Sequence, residues 1–179
     1  QKFIPVETEN KLLKNLKQTQ DSLFSVGLTS IVDAGLTEEQ LDFLKIFYLK
    51  DSLKIRNYAM LFAEPHNIDR FLKDDIYESD RLTVKSVKLM ADGALGSRGA
   101  ALLSNYSDDS TKSGFLLHSP EEFDVAIRKL AASPFQVAIH AIGDSANRLI
   151  LDLYGKYLEP KNNRRWRIEH AQVVSPEDF

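Results

Sequence analysis

The sequence predicts an α/β fold in which parallel β-strands alternate with helices. Short segments rich in apolar and β-branched residues alternate with segments of helical apolar spacing, and two helices open with strong start signals. Such alternation indicates a parallel sheet with crossover helices. Five strands fit either an open doubly wound sheet or part of a (β/α)8 barrel. No glycine-rich phosphate turn follows the first strand, which disfavours a dinucleotide-binding fold.

Five segments have the pattern of helices. A capping box, in which Ser or Thr precedes Glu or Gln by three residues, opens two of them: Thr37 with Gln40, and Ser119 with Glu122. Pro120 strengthens the second start because proline suits the first helical position. The predicted helices are residues 9–25, about 37–50, about 68–74, 119–132 and 145–157.

Five intervening segments predict strands, because β-branched and apolar residues suit a pleated, buried surface. Ala34–Gly35 is expected to turn the chain after the first strand, where Asp33 takes a turn position, and residues 92–118 are expected to be irregular. The predicted strands are residues 28–33, 54–62, 82–91, 135–142 and 165–171.

The two ends of the chain indicate a piece of a larger domain. Ser175–Asp178 carries the same start signal as Ser119–Glu122, yet the sequence stops at Phe179, and no strand precedes the first helix. A complete eight-stranded barrel needs roughly 200 or more residues, and this chain supplies about five of its eight strand–helix units. We therefore expect residues 1–179 to form a single incomplete barrel domain, corresponding to about strands 2–6.

The composition is that of an ordinary globular protein, with 43% hydrophobic and 27% charged residues. The net charge of −3 argues against a nucleic-acid partner, which rewards clustered Lys and Arg. The absence of cysteine excludes disulfides and cysteine metal sites, and no apolar run reaches the roughly 20 residues of a membrane helix. No signal peptide is visible, which slightly favours a cytoplasmic location. The chain begins with Gln1 rather than Met, so the true N-terminus of the protein can be missing from this sequence and the location stays open.

Three polar residues interrupt apolar strands near their C-terminal ends: Lys88, His140 and His170. Parallel strands place these ends at one edge of a sheet or barrel, where active sites form. Because side chains alternate between the two faces of a strand, each is predicted to share a face with the residues two and four positions before it. Those companions are Ser86 and Val84, Ala138 and Gln136, and Ile168 and Trp166, respectively.

Burial of Lys88 in a central parallel strand requires compensation, because an unpaired ammonium is costly in an apolar environment. A metal ion or a neutralising modification would provide it, and neutral imidazoles from His140 and His170 suit zinc and similar ions. Hydrogen-bonded core histidines are the alternative, and the spacing alone leaves both interpretations open.

Other polar residues are assigned separate roles. His66 and His118 are expected at the surface, and Asp144 is expected to cap the helix that follows it. Asp92 and Arg98 stand in the long loop after the third strand, on the face where barrel loops commonly hold substrates. We expect both to bind substrate, with a structural ion pair as the alternative for Arg98.

Three segments resemble successive strand-end motifs of amidohydrolase family 3, the branch that is similar to N-substituted formamide deformylases. Residues 27–35 also resemble the second-strand segment of that branch, so the resemblance spans nearly the whole chain. The three motifs are VKLMADGALGSR at residues 87–98, HAIGD at residues 140–144 and RIEHAQ at residues 167–172.

The resemblance implies a distorted (β/α)8 barrel that holds one or two divalent ions, usually zinc. Lys88 matches the strand-four lysine, which CO2 can carboxylate to an anionic carbamate ligand. His140 and His170 match the histidine ligands of strands five and six, so these three residues are the implied catalytic and metal-binding set. The implied activity is hydrolysis of carbon–nitrogen bonds in small amide-like, non-peptide substrates by a metal-activated water.

Two expected ligand groups have no match in this sequence. The family's His-x-His pair of strand one is absent, and the strand-eight aspartate would lie beyond Phe179. We therefore expect the fragment to bind metal weakly and to be inactive, with activity in the full-length protein. A non-catalytic binding or regulatory protein that retained the barrel is the alternative. Because an incomplete barrel leaves open strand edges, self-association into a homo-oligomer is also expected.

Overall fold

A computed structural model describes residues 8–73 and 75–179, and helices alternate with strands along them as predicted. The helices are α1 (Glu9–Ser25), α2 (Glu38–Leu49), α3 (Ile68–Phe71), α4 (Pro120–Ala131) and α5 (Asp144–Tyr157). The strands are β1 (Ser30–Leu36), β2 (Arg56–Phe62), β3 (Tyr77–Glu78), β4 (Leu82–Met90), β5 (Gln136–Ala141) and β6 (Arg167–His170). Within the described ranges, no helix combines the length and apolar character needed to cross a membrane.

Both predicted capping boxes are present. The hydroxyl of Thr37 accepts from the backbone N–H of Gln40 while the Gln40 side chain accepts from that of Thr37, and Ser119 and Glu122 do the same at the start of α4. Each box satisfies two backbone donors that a helix start leaves unpaired. Local sequence therefore fixes where α2 and α4 begin.

The first of two compact units contains the described residues up to Leu61 together with Tyr77–Lys85. Within it, β1 pairs in parallel with β2, and Ser30 lies opposite Arg56. The short strand β3 pairs antiparallel with the start of β4. It was not predicted, because two residues are too few to show a strand periodicity.

The predicted turn at Ala34–Gly35 is wrong. Both residues lie inside β1, where the pairing register with β2 shifts between Asp33 and Leu36. Gly35 has a φ of 135°, a conformation that glycine adopts without steric cost, so the irregularity distorts the strand without ending it. Asp33 consequently lies within the strand rather than at its end, and burial raises the pKa of its carboxyl group.

The second unit comprises Phe62–Ile76 and Ser86–Phe179. It contains the end of β4 together with β5 and β6, which pair in parallel so that Met90 lies opposite His140 and His140 lies opposite Glu169. The described ladders between predicted strands are parallel in both units, which confirms the predicted sheet type. The C-terminal ends of β4, β5 and β6 lie at one edge.

A tight apolar core supports that edge. α4 packs against α5, and α5 packs against β5. Strand β5 is buried on both faces, as expected for a central parallel strand. The fully buried apolar side chains of this core include Phe123, Ile127 and Leu130 of α4, Val137 and Ile139 of β5, and Ile150 of α5.

Three predicted helix features need correction. α3 is a single turn ending at Phe71, and Asp74, the predicted end of that helix, lies outside the described residues. The residue that caps α5 is Gly143 rather than Asp144; the Asp144 carboxylate instead accepts from its own helix and from the N–H of Leu103. At the chain's end, Pro176–Asp178 form a 3₁₀ turn without a side-chain cap.

Candidate metal centre

The predicted ligand residues lie on the three neighbouring parallel strands of the second unit. Lys88 of β4 is aligned with Ala138, two residues before His140 on β5, and His170 of β6 is aligned with Ala141. Since the strands are parallel and in this register, all three side chains start near the C-terminal edge. The structure thus brings together the residues that the sequence singled out.

Lys88 is 4% exposed, and its ammonium has only weak partners among the described residues. Nζ donates to the carbonyl of Leu89 at 3.1 Å and lies 3.3 Å from the sulfur of Met90. Burial lowers the pKa of Lys88 to about 8, and the negative charge of Glu169 opposes part of that shift. At this pKa the ammonium form still predominates at pH 7, but the neutral amine is far more accessible than in an ordinary lysine.

His140 is 8% exposed, and its Nε2 atom makes no hydrogen bond with any described residue. The nearest acidic atom, Oδ1 of Asp92, lies 3.4 Å from Nε2. Burial lowers the pKa of His140, and the positive charges of His170 and Lys88 act in the same direction, whereas Gly93 and Asp92 oppose the shift. The neutral imidazole is therefore favoured, which is the form that binds metal.

His170 reaches His140 from β6 although regular alternation would turn it away. Their ring centroids are 4.6 Å apart with an interplanar angle of 72°. The register aligns Glu169, not His170, with His140, so a regular strand would place the His170 side chain on the face opposite to His140. The predicted face that His170 shares with Ile168 and Trp166 stays a prediction. His170 has a φ of 79°, a left-handed conformation that breaks the alternation of the strand.

Glu169 is a site residue that the sequence prediction missed. It aligns with His140, its charge acts on Lys88, and its carboxylate forms an ion pair with Nε of Arg167. The predicted alternation assigned Glu169 to the opposite face, so it was passed over. A carboxylate in an otherwise apolar strand, next to a candidate ligand, was the signal available in the sequence.

Asp92 lies in the predicted loop but has no exposed surface. Its carboxylate accepts backbone N–H groups of Ala101, Ile142 and Gly143 at 2.8–2.9 Å. In this structure Asp92 therefore ties the loop to the end of β5. Its predicted contact with a substrate stays a prediction.

Arg98 lies in the same loop, in a left-handed conformation with a φ of 57°. Its guanidinium forms a two-pronged ion pair with Asp108, with N–O distances of 2.9 and 3.3 Å. This is the ion pair that the sequence left as an alternative. The pair is exposed, so solvent and salt screen it strongly, and a substrate role for Arg98 stays a prediction.

The two remaining histidines differ in environment. His66 is exposed, as predicted. His118 is half-buried, which the sequence did not predict: its Nε2 lies 2.5 Å from Oε2 of Glu64, and its ring contacts that of Phe123. The contact with Glu64 spans 54 positions along the chain, so no local pattern could reveal it.

The donor set fits a divalent ion in its chemistry, although the described residues contain no group of three or more His, Asp or Glu side chains placed to hold one. His140 offers a neutral imidazole with a buried nitrogen that lacks a hydrogen bond. His170 offers a second imidazole in contact with the first. Two imidazoles are suitable ligands for zinc-like ions.

Comparison with known proteins shows the family of the chain. Residues 5–179 match the profile of a family described as the amidohydrolase family. YtcJ of Bacillus subtilis (strain 168), provisionally named an amidohydrolase, is 37% identical over 117 residues, which are 65% of this chain and 22% of that protein. Protein LONG AFTER FAR-RED 3 of Arabidopsis thaliana is 34% identical over 164 residues, 84% of this chain and 28% of that protein.

A solved structure shows the same fold. An uncharacterized metal-dependent hydrolase from Pyrococcus horikoshii OT3 superposes with a TM-score of 0.79 and 31% identity, over 96% of this chain and 34% of that chain. The predicted α/β fold, a partial TIM-type barrel with parallel strands, is thereby confirmed. The chain spans about a third or less of each of these three proteins.

Proposed function

Since the chain belongs to the amidohydrolase family, we propose that the full-length protein is a metal-dependent hydrolase of carbon–nitrogen bonds in small amide-like substrates other than peptides. The observation that supports this most directly is the placement of Lys88, His140 and His170 at the ends of three adjacent parallel strands. Two of these side chains are buried, and the rings of the two histidines are in contact.

His140 and His170 are the proposed imidazole ligands of one or two divalent ions, with zinc as the first candidate. Burial keeps His140 neutral, so its ring retains a lone pair for coordination. When bound, such an ion lowers the pKa of a water molecule toward about 7 and polarises the scissile carbonyl.

Lys88 is proposed to contribute an anionic oxygen as a carbamate. With a pKa of about 8, about a tenth of its amine is neutral at pH 7, which is far more than for an ordinary lysine. The neutral nitrogen attacks CO2, a nitrogen–carbon bond forms, and the proton from nitrogen leaves to solvent. The product carries a negative charge that a bound divalent ion would neutralise, and this replaces the buried, unpaired ammonium.

Arg98 is proposed to orient the substrate. Its guanidinium offers a planar pair of donors that currently meets the carboxylate of Asp108. Because this ion pair is exposed, a carboxylate or carbonyl oxygen of a substrate can replace Asp108 at little cost.

The direct test is a hydrolysis assay on the full-length protein, first stripped of metal and then reconstituted with zinc. A panel of N-formyl amines, acyclic amides and cyclic amides is offered, with short peptides as the contrasting class, and the released amine is measured. We expect zinc-dependent release that His140→Ala and His170→Ala abolish. The exposed His66→Ala is the matched control and retains the wild-type rate.

A non-catalytic binding or regulatory protein would hydrolyse none of these substrates. A folded, zinc-reconstituted protein that releases amine from no member of the panel contradicts the hydrolase proposal. That result would favour a binding or regulatory protein built on the same barrel.

A further inference from the structure

Asn147 is a buried polar residue in the first turn of α5, with 1% of its surface exposed. Asparagine is a poor helix former, and a buried side-chain amide is costly unless it forms hydrogen bonds. An apolar residue or alanine would suit this position of the helix better. The side chain therefore needs a role beyond the helix itself.

The Asn147 amide joins three parts of the chain. Nδ2 donates to the carbonyl of Gly143 at 2.8 Å, to that of Val173 at 3.1 Å and to that of Ala141 at 3.3 Å. These carbonyls belong to the residue before α5, to the segment after β6 and to the end of β5. An amide oxygen in the same place would face three acceptors, so the NH2 group occupies it.

The segment after β6 runs along the end of β5. The N–H of Ala171 donates to the carbonyl of Ala141 at 3.1 Å, and the N–H of Val173 donates to the carbonyl of Ile142 at 2.9 Å. His170 itself is aligned with Ala141. These bonds join backbone to backbone, whereas the side chain of Asn147 ties the same segment to α5.

This segment begins with the left-handed backbone of His170 and Ala171, whose φ angles are 79° and 42°. Such conformations cost free energy in residues other than glycine, so they persist only where the surroundings hold them. The bonds of Ala171 and Val173 to β5, and of Val173 to Asn147, lie at or just after these two residues. They are placed to hold the His170 ring, whose centroid is 4.6 Å from that of His140.

We propose that Asn147 is a positioning residue for His170. Its side-chain amide clamps the segment after β6 to the end of β5 and to α5, and so holds the left-handed backbone that directs the His170 ring toward His140. The inference rests on the proposed function only in treating His170 as a metal ligand. Groups that orient a ligating histidine without touching the ion contribute about 10- to 100-fold to metal affinity.

Two substitutions on α5 separate positioning from support of the fold. Asn147→Leu has a similar volume and a higher helix propensity, but it removes every hydrogen bond of the amide. Tyr157→Phe is the matched control, because it removes the contacts of the Tyr157 hydroxyl with both carboxylate oxygens of Asp124 on α4, each at 2.8 Å. That change leaves the segment after β6 untouched.

The first measurement is amide hydrogen exchange of the full-length, metal-free protein, followed by mass spectrometry of the peptide that covers residues 168–175. Loss of a contact that holds the segment should make it open more often. In Asn147→Leu we expect this peptide to exchange roughly 3- to 10-fold faster than in the wild type. Tyr157→Phe should leave its exchange unchanged.

The second measurement is zinc affinity, determined by competition with a chelator. We expect Asn147→Leu to bind zinc about 10- to 100-fold more weakly than the wild type. Tyr157→Phe should lower the melting temperature but keep the wild-type affinity. Unchanged exchange of residues 168–175 in Asn147→Leu overturns the proposal, and so does an equal affinity of the two variants when the wild type binds zinc.

Two further cases keep the test decisive. If Asn147→Leu does not fold, Asn147→Ser takes its place, because a serine hydroxyl can reach the carbonyl of Gly143 one turn earlier but not that of Val173. A wild type that neither binds zinc nor hydrolyses the panel contradicts the proposed function. The exchange result then decides by itself whether Asn147 holds the segment that begins at His170.

Discussion

The ring of His170 lies edge-on to that of His140, 4.6 Å between centroids, although the register of β5 and β6 places Glu169 opposite His140. The contact goes together with a left-handed backbone at His170, which is followed by Ala171 with a φ of 42°. Left-handed residues other than glycine cost roughly 1–3 kcal/mol and cluster at functional sites. The strained end of β6 thus carries the same residue that the amidohydrolase resemblance selects as a ligand.

Replacement of Lys88 should remove most activity of the full-length enzyme. If Lys88 is a carbamate, Lys88→Ala removes an anionic ligand, and added short carboxylic acids should restore part of the rate by supplying an oxygen ligand. Metal content, melting temperature and rate are measured on the same preparation. Normal turnover with a full complement of metal in Lys88→Ala would rule out the carbamate.

The lowered pKa of Lys88 also predicts a pH-dependent stability of the metal-free protein. The folded state loses the lysine proton near pH 8, and the unfolded state loses it near the ordinary value of 10.5. Between these values the unfolded state binds more protons, so the free energy of unfolding should rise with pH, on the order of 1–3 kcal/mol.

That rise should be missing in Lys88→Met, whose side chain is similar in length but does not titrate. Urea unfolding of both proteins at several pH values from 7.5 to 10.5, in buffers free of CO2 and metal, makes the comparison. Parallel pH curves for the two proteins would show that Lys88 is not desolvated as the structure indicates.

Arg98→Ala should change substrate preference more than the chemical step. If Arg98 only holds the substrate, its loss raises KM, most for substrates with a carboxylate, and leaves kcat largely intact. Lys129→Ala is the control, because it breaks another surface ion pair, with Asp69. The measurement is kcat and KM of each variant with charged and neutral substrates. A loss confined to kcat in Arg98→Ala would argue against a role of Arg98 in substrate binding.

Two glycines of the second unit should respond oppositely to alanine. Gly143→Ala places a Cβ against the Ala101 carbonyl and should destabilise the fold by about 1–3 kcal/mol. Gly155 lies within α5 with open space around it, so Gly155→Ala should stabilise by up to about 1 kcal/mol. Thermal unfolding measures the stability of both variants. An unchanged stability of Gly143→Ala would mean that the loop around Ala101 moves to accommodate the added Cβ atom at little cost.

The sequence alone determined the features that depend on neighbouring residues. The capping boxes at Thr37 and Ser119 placed two helix starts, because the groups that pair there are three residues apart. Alternation of strands and helices indicated the parallel sheet. The strand-end positions of Lys88 and His140 followed from the same pattern, since parallel strands end at a common edge.

Only the tertiary structure decided what depends on distant contacts and on backbone irregularity. The carboxylate of Asp92 is fixed by amides 9 and about 50 positions away, so its burial had no local signature. The register shift in β1 and the left-handed residues at the end of β6 interrupt the alternation from which faces were predicted. Glu169 lies in the site because the register of β5 and β6 aligns it with His140, and a register between strands has no local signature. His170 contacts His140 with a left-handed backbone, which no periodic pattern predicts.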